Sequence, residues 1–412
     1  MIRLFKIETF KLFKRTKTWV VIIAFILLTA LLAYGSYRDT QNAKRYNSPE
    51  ARLANLEDHL KYLESERDVI PEEYKDDEAK IQEYKSMYEQ QINDVKTEMA
   101  RIKTTIEQRN NSNWREINEN RIKELEDQIK DLESLPDKGG SSITYLQEEL
   151  DQLKYLQQHD IKPMEDYDFN AIKFIIQLVQ ILGEVFLVIG IAVFAADVVS
   201  GEATPPTMKL LLTQPISRAK VLFSKFLSIN IASIVCILGA ELIAFVVVGL
   251  IFGFGETSYP MFVGAQYKFD TTQLVENGTY PLMLIAGSKY IIPAWQYVVK
   301  LLLLQALFVI VCTSVVFLIS TLVKASMVSM GISVVSSIAS LIVFSAFSGL
   351  RKFARFVFVM FGNVENILTG RFAERFNNPN VNFSYIMIMF VVWIVGSYII
   401  SHVVFTKKDI LI

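Results

Sequence analysis

Two acidic residues lie inside strongly apolar stretches of the chain, and they are the first candidates for chemistry. Glu184 belongs to the stretch 169–199, and Glu241 belongs to the stretch 221–254. A carboxyl group inside a membrane span costs free energy, so it usually faces protein groups or water and marks an ion or substrate path. Both residues are therefore candidates for a transport pathway. The alternative is that each pairs with polar groups between helices, although no basic partner is evident in the sequence.

Serines and other small residues are concentrated in a further apolar stretch, 326–349. They are Ser329, Gly331, Ser333, Ser336, Ser337, Ala339 and Ser340. Small residues let helices approach closely, and serine hydroxyls can form hydrogen bonds across such contacts. We expect this helix to pack inside a bundle or against a second copy, with Ser333 and Ser337 as pathway candidates. A buried helix without a pathway role remains the alternative.

Motifs for catalysis or nucleotide binding are absent from the sequence. The chain contains no G-x-x-x-x-G-K-[ST] loop, no H-E-x-x-H and no G-x-S-x-G. The three histidines are not near a second ligand in sequence, and Cys236 and Cys312 both lie in apolar stretches, without a disulfide or metal-binding pattern. We predict no catalytic residue, no metal and no cofactor bound by this chain, so energy for any work must come from a partner or a gradient.

The distribution of charge indicates a membrane protein. Among 412 residues, 51% are hydrophobic and 21% are charged, with a net charge of −1. Residues 3–17 carry six basic side chains and one acid, whereas residues 38–168 carry 20 basic and 32 acidic side chains. A basic start and an acidic second block fit opposite sides of a membrane, although acids set orientation only weakly. The basic surface on a soluble domain that nucleic acid would require is missing.

The block from residue 38 to 168 has the pattern of a helical coiled coil. Leucines at positions 53, 56, 60 and 63 follow a spacing of three and four, and later groups repeat this spacing between charged residues. Pro71, the run 110–113 and the run 136–142 interrupt the pattern. We therefore expect three or four helices folded into an antiparallel bundle outside the cell. It could be a spacer between spans or a platform for a partner.

The apolar stretches are long enough to cross a bilayer. We predict an all-α, polytopic membrane protein with six transmembrane helices and a large extracytoplasmic coiled-coil insertion between the first and second. Both termini should lie in the cytoplasm, because the basic clusters then fall on one side. The predicted segments are an interfacial elbow helix (1–17), the spans 18–37, 169–199, 221–254, 295–323, 326–349 and 383–405, the coiled-coil domain (38–168), a cytoplasmic coupling segment (200–220), an extracytoplasmic loop (255–294), re-entrant helices (350–382) and a cytoplasmic tail (406–412).

The segment that separates the second and third spans is polar and basic. Its sequence from residue 200 to 226 is SGEATPPTMKLLLTQPISRAKVLFSKF, with four cations and a single acid, Glu202. The positive-inside rule places it on the cytoplasmic side. Pro205-Pro206 suits the start of a short helix and Gln214-Pro215 suits its end. Such a helix could be offered to a groove on a soluble partner.

This segment resembles the coupling segment of the membrane subunits, or permeases, of ABC-2-type ABC transporters. The similar parts are S-G-E, T-M-K-L-L-L-T-Q-P-I-S-R and K-V-L-x-S-K-F, together with the amphipathic start at residues 8–15 and the basic end at residues 405–410. The resemblance does not extend to residues 38–170. In similar permeases the coupling segment docks on a separate ATPase. The resemblance thus implies polar contacts from Glu202 and Arg218, with Met208, Lys209, Leu210, Leu211 and Leu212 as the helix that docks.

The resemblance implies a permease of a bacterial ABC exporter in the cell membrane. Two such chains, identical or related, would bind two ATPase subunits, which use ATP and Mg²⁺. Similar systems suggest an amphipathic substrate, such as an antimicrobial peptide, a lantibiotic, a lipid or a hydrophobic drug. One alternative is an ATPase-driven subunit whose external coiled coil regulates a cell-envelope partner or senses an antibiotic. Another is an ion-coupled transporter that uses Glu184 or Glu241 as a carboxylate relay, which leaves the coupling segment unexplained.

Overall fold

The structure is a computed structural model that describes residues 1–75, 77–110, 114–134, 140–164, 168–202, 216–271 and 280–407. The chain divides into two compact units. The first contains Met1–Tyr34 and Asn170–Ile412, and the second contains Gly35–Phe169. We call them the membrane unit and the helical insertion and describe each by itself.

The membrane unit begins with two helices joined by a sharp bend. Helix α1 (Ile2–Lys14) ends where Arg15 adopts an extended backbone, and helix α2 (Thr16–Asn47) follows at once. The Thr18 hydroxyl donates to the carbonyl of Leu12 at 2.6 Å, and the Trp19 indole donates to the carbonyl of Phe13 at 2.9 Å. These bonds satisfy carbonyls that the end of a helix leaves free, so the bend is held by side chains of the following helix.

The part of the chain that the structure describes contains five helices that are long and apolar enough to cross a membrane, or six with one bent pair. They are α2, the pair α7 (Ala171–Gly183) and α8 (Phe186–Ala195), α9 (Arg218–Phe252), α10 (Ala294–Leu322), α11 (Ser326–Ala346) and α15 (Phe383–Lys407). The predicted second span, 169–199, is therefore not one straight helix. It breaks at Glu184 and bends by 65°. Helix α2 continues to Asn47, beyond the predicted end of the first span at residue 37.

The membrane unit has two recognisable ends. At one end, which we call the α1 end, the α1 carbonyl of Phe5 accepts a hydrogen bond from Ser228 of α9. Beyond α9, at the opposite end, the chain forms four short strands: β1 (Pro260–Val263), β2 (Tyr267–Phe269), β3 (Leu282–Leu284) and β4 (Tyr290–Pro293). Strands β1 and β4 pair antiparallel, as do β2 and β3. We call this the strand end. The sequence predicted only a loop in 255–294, because each strand is shorter than a recognisable alternating pattern.

Short helical turns fill the stretch between α11 and α15. They are a 3₁₀ turn at Ser348–Leu350, α12 (Arg351–Ala354), a 3₁₀ turn at Phe358–Phe361, α13 (Glu365–Thr369) and α14 (Phe372–Arg375). Phe358 to Phe361 are all buried, as are Ile367 and Phe372. The stretch predicted to form re-entrant helices, 350–382, thus contains a series of short turns, several of which are buried. The backbone of Gly264 and Ala265 donates to the carbonyls of Leu368 and Thr369 at 3.0 and 3.1 Å, which joins this stretch to the strands.

The helical insertion contains the end of α2 and four further helices. These are α3 (Pro49–Arg67), α4 (Glu78–Asn110), α5 (Trp114–Ser134) and α6 (Gly140–Gln158), with a 3₁₀ turn at Glu72–Tyr74. Helix α3 packs on α4, and α5 packs on α6. The break at Pro71 falls between α3 and α4, as the sequence indicated.

Helices α5 and α6 are antiparallel and share an apolar core. Ile122, Leu125, Ile129 and Leu150 form it. Polar groups fix the register, since Asn118 donates to the Leu153 carbonyl at 3.0 Å and Arg121 forms an ion pair with Glu149 at 2.9 Å. The leucine and isoleucine spacing therefore buries one stripe of each helix. Coiled-coil geometry for the whole block remains a prediction.

Candidate functional site

A buried ion network lies at the first turns of α9, next to the coupling segment. Lys225 has only 1% of its side chain exposed. Its ammonium group donates to Glu8 of α1 at 2.7 Å and to Glu202 at 2.6 Å. A buried lysine is stabilised only when it is paired and hydrogen-bonded, and here two carboxylates from different elements meet it. Lys225 therefore joins α1, α9 and the start of the coupling segment.

Helix α1 contributes a second cation to this network. Lys11 lies 3.0 Å from Glu8 and 3.6 Å from Glu202. Burial by itself would raise the pKa of Glu8, but the charges and hydrogen bonds of Lys225 and Lys11 outweigh it, so the pKa is lower than its ordinary value. Glu8 is the single acid among the basic residues of this helix. The Glu8–Lys225 pair therefore links α1 to α9.

The end of α8 is also attached to the bend between α1 and α2. Asp197 lies 3.4 Å from Arg15 and 3.1 Å from Lys17. Further along, the backbone amides of Val199 and Ser200 both donate to the Ser320 hydroxyl of α10 at 3.1 Å. The chain is therefore fixed at several points before it enters the coupling segment.

The far border of the coupling segment is attached to the last span. Arg218 donates to the carbonyl of Thr406 at 3.4 Å. Residues 203–215 lie outside the described part of the chain, and with them the predicted docking residues Met208, Lys209, Leu210, Leu211 and Leu212. Glu202 is 6% exposed and paired internally, so its predicted contact with an ATPase remains a prediction.

Glu184 lies at the break between α7 and α8 and has a basic partner that the sequence did not reveal. Arg375 of α14 forms an ion pair with it. Nearby, Glu365 of α13 accepts hydrogen bonds from Gln180 of α7 and, at 2.7 Å, from the Tyr297 hydroxyl of α10. The stretch between α11 and α15 thus supplies charged groups to the break. Arg375 is 191 residues away from Glu184 along the chain, so spacing could not have indicated this pair.

Backbone contact accompanies these ion pairs. Gly183 at the end of α7 lies against Gly362, and a β-carbon on either residue would overlap the other's backbone. Only glycine at both positions permits this approach. The break therefore fits against the buried turns that precede α13.

Glu241 is fully buried between α9 and α10. Its carboxyl accepts a hydrogen bond from the Gln305 amide at 2.7 Å, and both side chains are 0% exposed. By helix rise, each residue lies about 17 Å from the strand end of its helix, which is close to the middle of a bilayer. In the part of the chain that the structure describes, one oxygen of each group has no hydrogen-bond partner. Glu241 is thus paired between helices, as one of the two alternatives expected.

Three serines of α11, Ser329, Ser333 and Ser337, are buried. Ser329 donates to the Ala196 carbonyl at the end of α8 at 2.7 Å, while Ser333 and Ser337 donate to carbonyls of their own helix. Ser333 is 0% and Ser337 is 7% exposed. The structure brings neither of them to Glu184 or Glu241 through a hydrogen bond. Their role in a pathway remains a prediction.

A comparison with known protein families adds to these observations. The profile of the ABC-2 family transporter proteins matches residues 2–410. The chain belongs to this family. The resemblance drawn from the sequence is confirmed, and the matched range runs through the insertion at 38–168, to which that resemblance did not extend. No curated protein matches the chain.

Membership supports several coarse statements about this ABC-2 protein. It is a multi-pass membrane protein and a permease-type transport subunit, and such permeases generally work with an ABC ATPase. Members of this kind are typically not catalytic themselves. Within the described ranges, no group of three or more His, Cys, Asp or Glu residues could hold a metal ion.

Sequence reasoning missed the network around Lys225 in this ABC-2 permease. It assigned Lys225 to a cytoplasmic basic cluster and did not consider Glu8 as its partner. One signal was available. Glu8 and Glu202 are the lone acids of two basic segments, and an isolated acid between cations in a membrane protein is a candidate for a specific pair.

Proposed function

We propose that the chain is the transmembrane permease of an ATP-driven ABC exporter in a bacterial cell membrane, with both termini in the cytoplasm. The observation that carries this proposal is the buried network in which Lys225 holds Glu8 of α1 and Glu202 of the coupling segment. Helix α9 contains 35 residues and is about 52 Å long. Since the apolar core of a bilayer is about 30 Å thick, the Lys225 end can extend beyond it toward a soluble partner.

The network suggests how motion reaches the spans. An ATPase that binds residues 208–212 would pull on Glu202, and the two ion pairs of Lys225 pass this displacement to α9 and α1. Ser320 ties the same stretch to α10. We propose that two permease chains, identical or related, bind two ATPase subunits, which alone use ATP and Mg²⁺. Arg218 and the apolar residues Leu210, Leu211 and Leu212 would form the docking contacts.

The substrate is proposed to be amphipathic, of the class of antimicrobial peptides, lantibiotics, lipids or hydrophobic drugs. The broken span supports a pathway that includes Glu184. A bend of 65° with charged partners at the break separates two parts of one span, and each part can tilt. Glu241 and the serines Ser333 and Ser337 would line the pathway only if α9 and α11 separate from their neighbours.

The first experiment is purification of the tagged chain from its host in mild detergent, followed by mass spectrometry of proteins that accompany it. Three versions are compared: wild type, Leu211→Asp and Lys324→Asp. Lys324 lies in the exposed turn between α10 and α11, at the same end of the membrane unit, so Lys324→Asp is the matched control for an added charge. Leu211→Asp places a carboxylate in the predicted apolar contact.

We expect an ABC ATPase in stoichiometric amount with wild type and with Lys324→Asp, and its loss with Leu211→Asp. Burying the unpaired carboxylate of the Leu211→Asp variant in this contact would cost at least about 1–3 kcal/mol, so the affinity for the ATPase should drop strongly. Well-expressed preparations that all lack an ATPase would contradict the proposal and favour an ion-coupled transporter. An ATPase retained equally by all three would contradict the docking residues.

A second candidate function is favoured by the helical insertion. This unit has a core of its own, formed by Ile122, Leu125, Ile129 and Leu150, and it is a compact unit separate from the spans. Such a unit could receive motion from the spans and regulate a cell-envelope partner. Deletion of residues 45–165 distinguishes the two. If the ATPase still binds and some substrate export persists, the exporter is supported, whereas retained assembly with complete loss of activity supports the regulatory role.

A further inference from the structure

A cavity of about 770 Å³ opens at the strand end of the membrane unit. Strand residues such as Tyr267 and Tyr290 form one wall, and Lys300 and Leu304 of α10 form another. The stretch Leu368–Gly370 and the start of α15 at Phe383 complete it. Its size is within the usual range of about 300–1,000 Å³ for ligand sites. The cavity lies at the opposite end of the spans from the Lys225 network.

Lys300 is the cation in the α10 wall of the cavity. Lys300 is half-buried, and among the residues that the structure describes it forms no hydrogen bond and no ion pair. This differs from Lys225, which has two carboxylates. A basic side chain within a membrane span is costly unless it is paired or solvated. The cavity beside Lys300 can therefore admit an anion that offsets this cost.

The remaining lining indicates that the anion has an apolar part. Leu303 and Phe383 line the cavity and are 65% and 50% exposed. Asn382 and Ser384, also in the lining and exposed, add polar groups at the start of α15. A ligand with a charged head and an apolar tail would meet Lys300 with the head and these two apolar side chains with the tail.

The ammonium group of Lys300 can reach the headgroup region of a bilayer, because a long basic side chain near the end of a span extends toward the interface. Lys300 lies six residues after Ala294, the first residue of α10, and thus about 9 Å along the helix axis. Trp295 and Tyr290 are more than half exposed at the same end, and tryptophan and tyrosine concentrate at membrane interfaces. A phosphate in a lipid headgroup would therefore reach the Lys300 ammonium group while its acyl chains stay in the membrane.

We propose that this cavity is a binding site for an acidic phospholipid, with the headgroup phosphate on Lys300 and an acyl chain along Leu303 and Phe383. Basic pockets between spans bind anionic headgroups in this way. The site requires neither the ATPase nor the coupling segment. Its test is therefore independent of the proposed exporter function, and failure of one leaves the other standing.

The experiment measures lipid binding to the purified full chain by native mass spectrometry. Dioleoyl phosphatidylglycerol is titrated against dioleoyl phosphatidylcholine, and glycerol 1-phosphate is titrated alone to separate a lipid from a free phosphate. The variants are Lys300→Gln, which removes the charge, Lys300→Arg, which keeps it, and Ser384→Trp, which narrows the cavity. Lys324→Gln is the matched control, because it removes an exposed cation at the other end. Equal melting temperatures establish that the variants are folded.

We expect wild type to bind phosphatidylglycerol more tightly than phosphatidylcholine. Lys300→Gln should weaken phosphatidylglycerol binding about tenfold or more, the usual effect of losing a hydrogen bond to a charged group. Lys300→Arg and Lys324→Gln should retain it, and Ser384→Trp should reduce it. Equal affinity for both lipids, or an unchanged affinity in Lys300→Gln, would overturn the proposal. Glycerol 1-phosphate binding as tightly as the lipid would also overturn it, because the site would then recognise a free phosphate.

Discussion

Replacing Lys225 by methionine tests whether the buried network holds the coupling segment. The substitution keeps most of the apolar stem and removes the ammonium group, which leaves Glu8 and Glu202 buried at 6% exposure without their central cation. Removing one partner from a buried ion network destabilises the folded protein by about 3–5 kcal/mol. We expect Lys225→Met to lower the free energy of unfolding by that amount. Reversible unfolding in mixed micelles of mild detergent and SDS measures it.

Two comparisons make this prediction specific. Lys154→Met removes a cation that lies 2.7 Å from Glu126, with side chains 43% and 39% exposed, and an exposed pair contributes only about 0–1 kcal/mol. The triple variant Lys225→Met, Glu8→Gln, Glu202→Gln removes the stranded charges and should recover at least half of the loss. The reasoning is refuted if Lys225→Met and Lys154→Met cost the same, or if the triple variant is no more stable than the single one.

Three further predictions concern single residues of the membrane unit. Gly183→Ala should destabilise the protein strongly, because the β-carbon of the new alanine would overlap the backbone of Gly362. Gly190→Ala is the control and should change the stability little, because the space around Gly190 is open. Thermal unfolding of both variants in detergent compares them. The pKa of Glu8 is lower than its ordinary value of 4.5. Its contribution to stability is therefore present above pH 4.5 and is lost as the pH falls through the lowered pKa. Unfolding measured between pH 6 and pH 3 should show a smaller loss of stability in Glu8→Gln than in wild type. Glu241→Gln should retain ATP-driven transport in proteoliposomes, and a complete loss would favour a carboxylate relay.

Features that depend on local patterns could be predicted from the sequence. The apolar stretches indicated the spans because a bilayer demands about 20 apolar residues in a row. The coupling segment was recognisable because polar, basic and proline residues interrupt two such stretches. The insertion was recognisable because leucines repeat at helical spacing between charged residues. Each signal lies within one short segment of the chain.

Partners from distant segments could not be predicted. The cation that pairs with Glu184 was not evident, because Arg375 is 191 positions later in the chain. The partner of Glu241 is the amide of Gln305, which no charge pattern singles out. The break in the second span was also missed. Apolar residues directly flank Glu184 in the sequence. The contact between Gly183 and Gly362 at the break involves a segment near the end of the chain.

The sequence by itself determined that this is a helical, multi-pass ABC-2 permease with a charged insertion, because hydropathy, charge and local motifs act along the chain. Only the tertiary structure decided which charges meet. It joined Lys225 to Glu8 and Glu202, Glu184 to Arg375, and Glu241 to Gln305, and it left Lys300 in the wall of a cavity. The physical reason is that a buried polar group must find its partner in space, and helix packing places that partner.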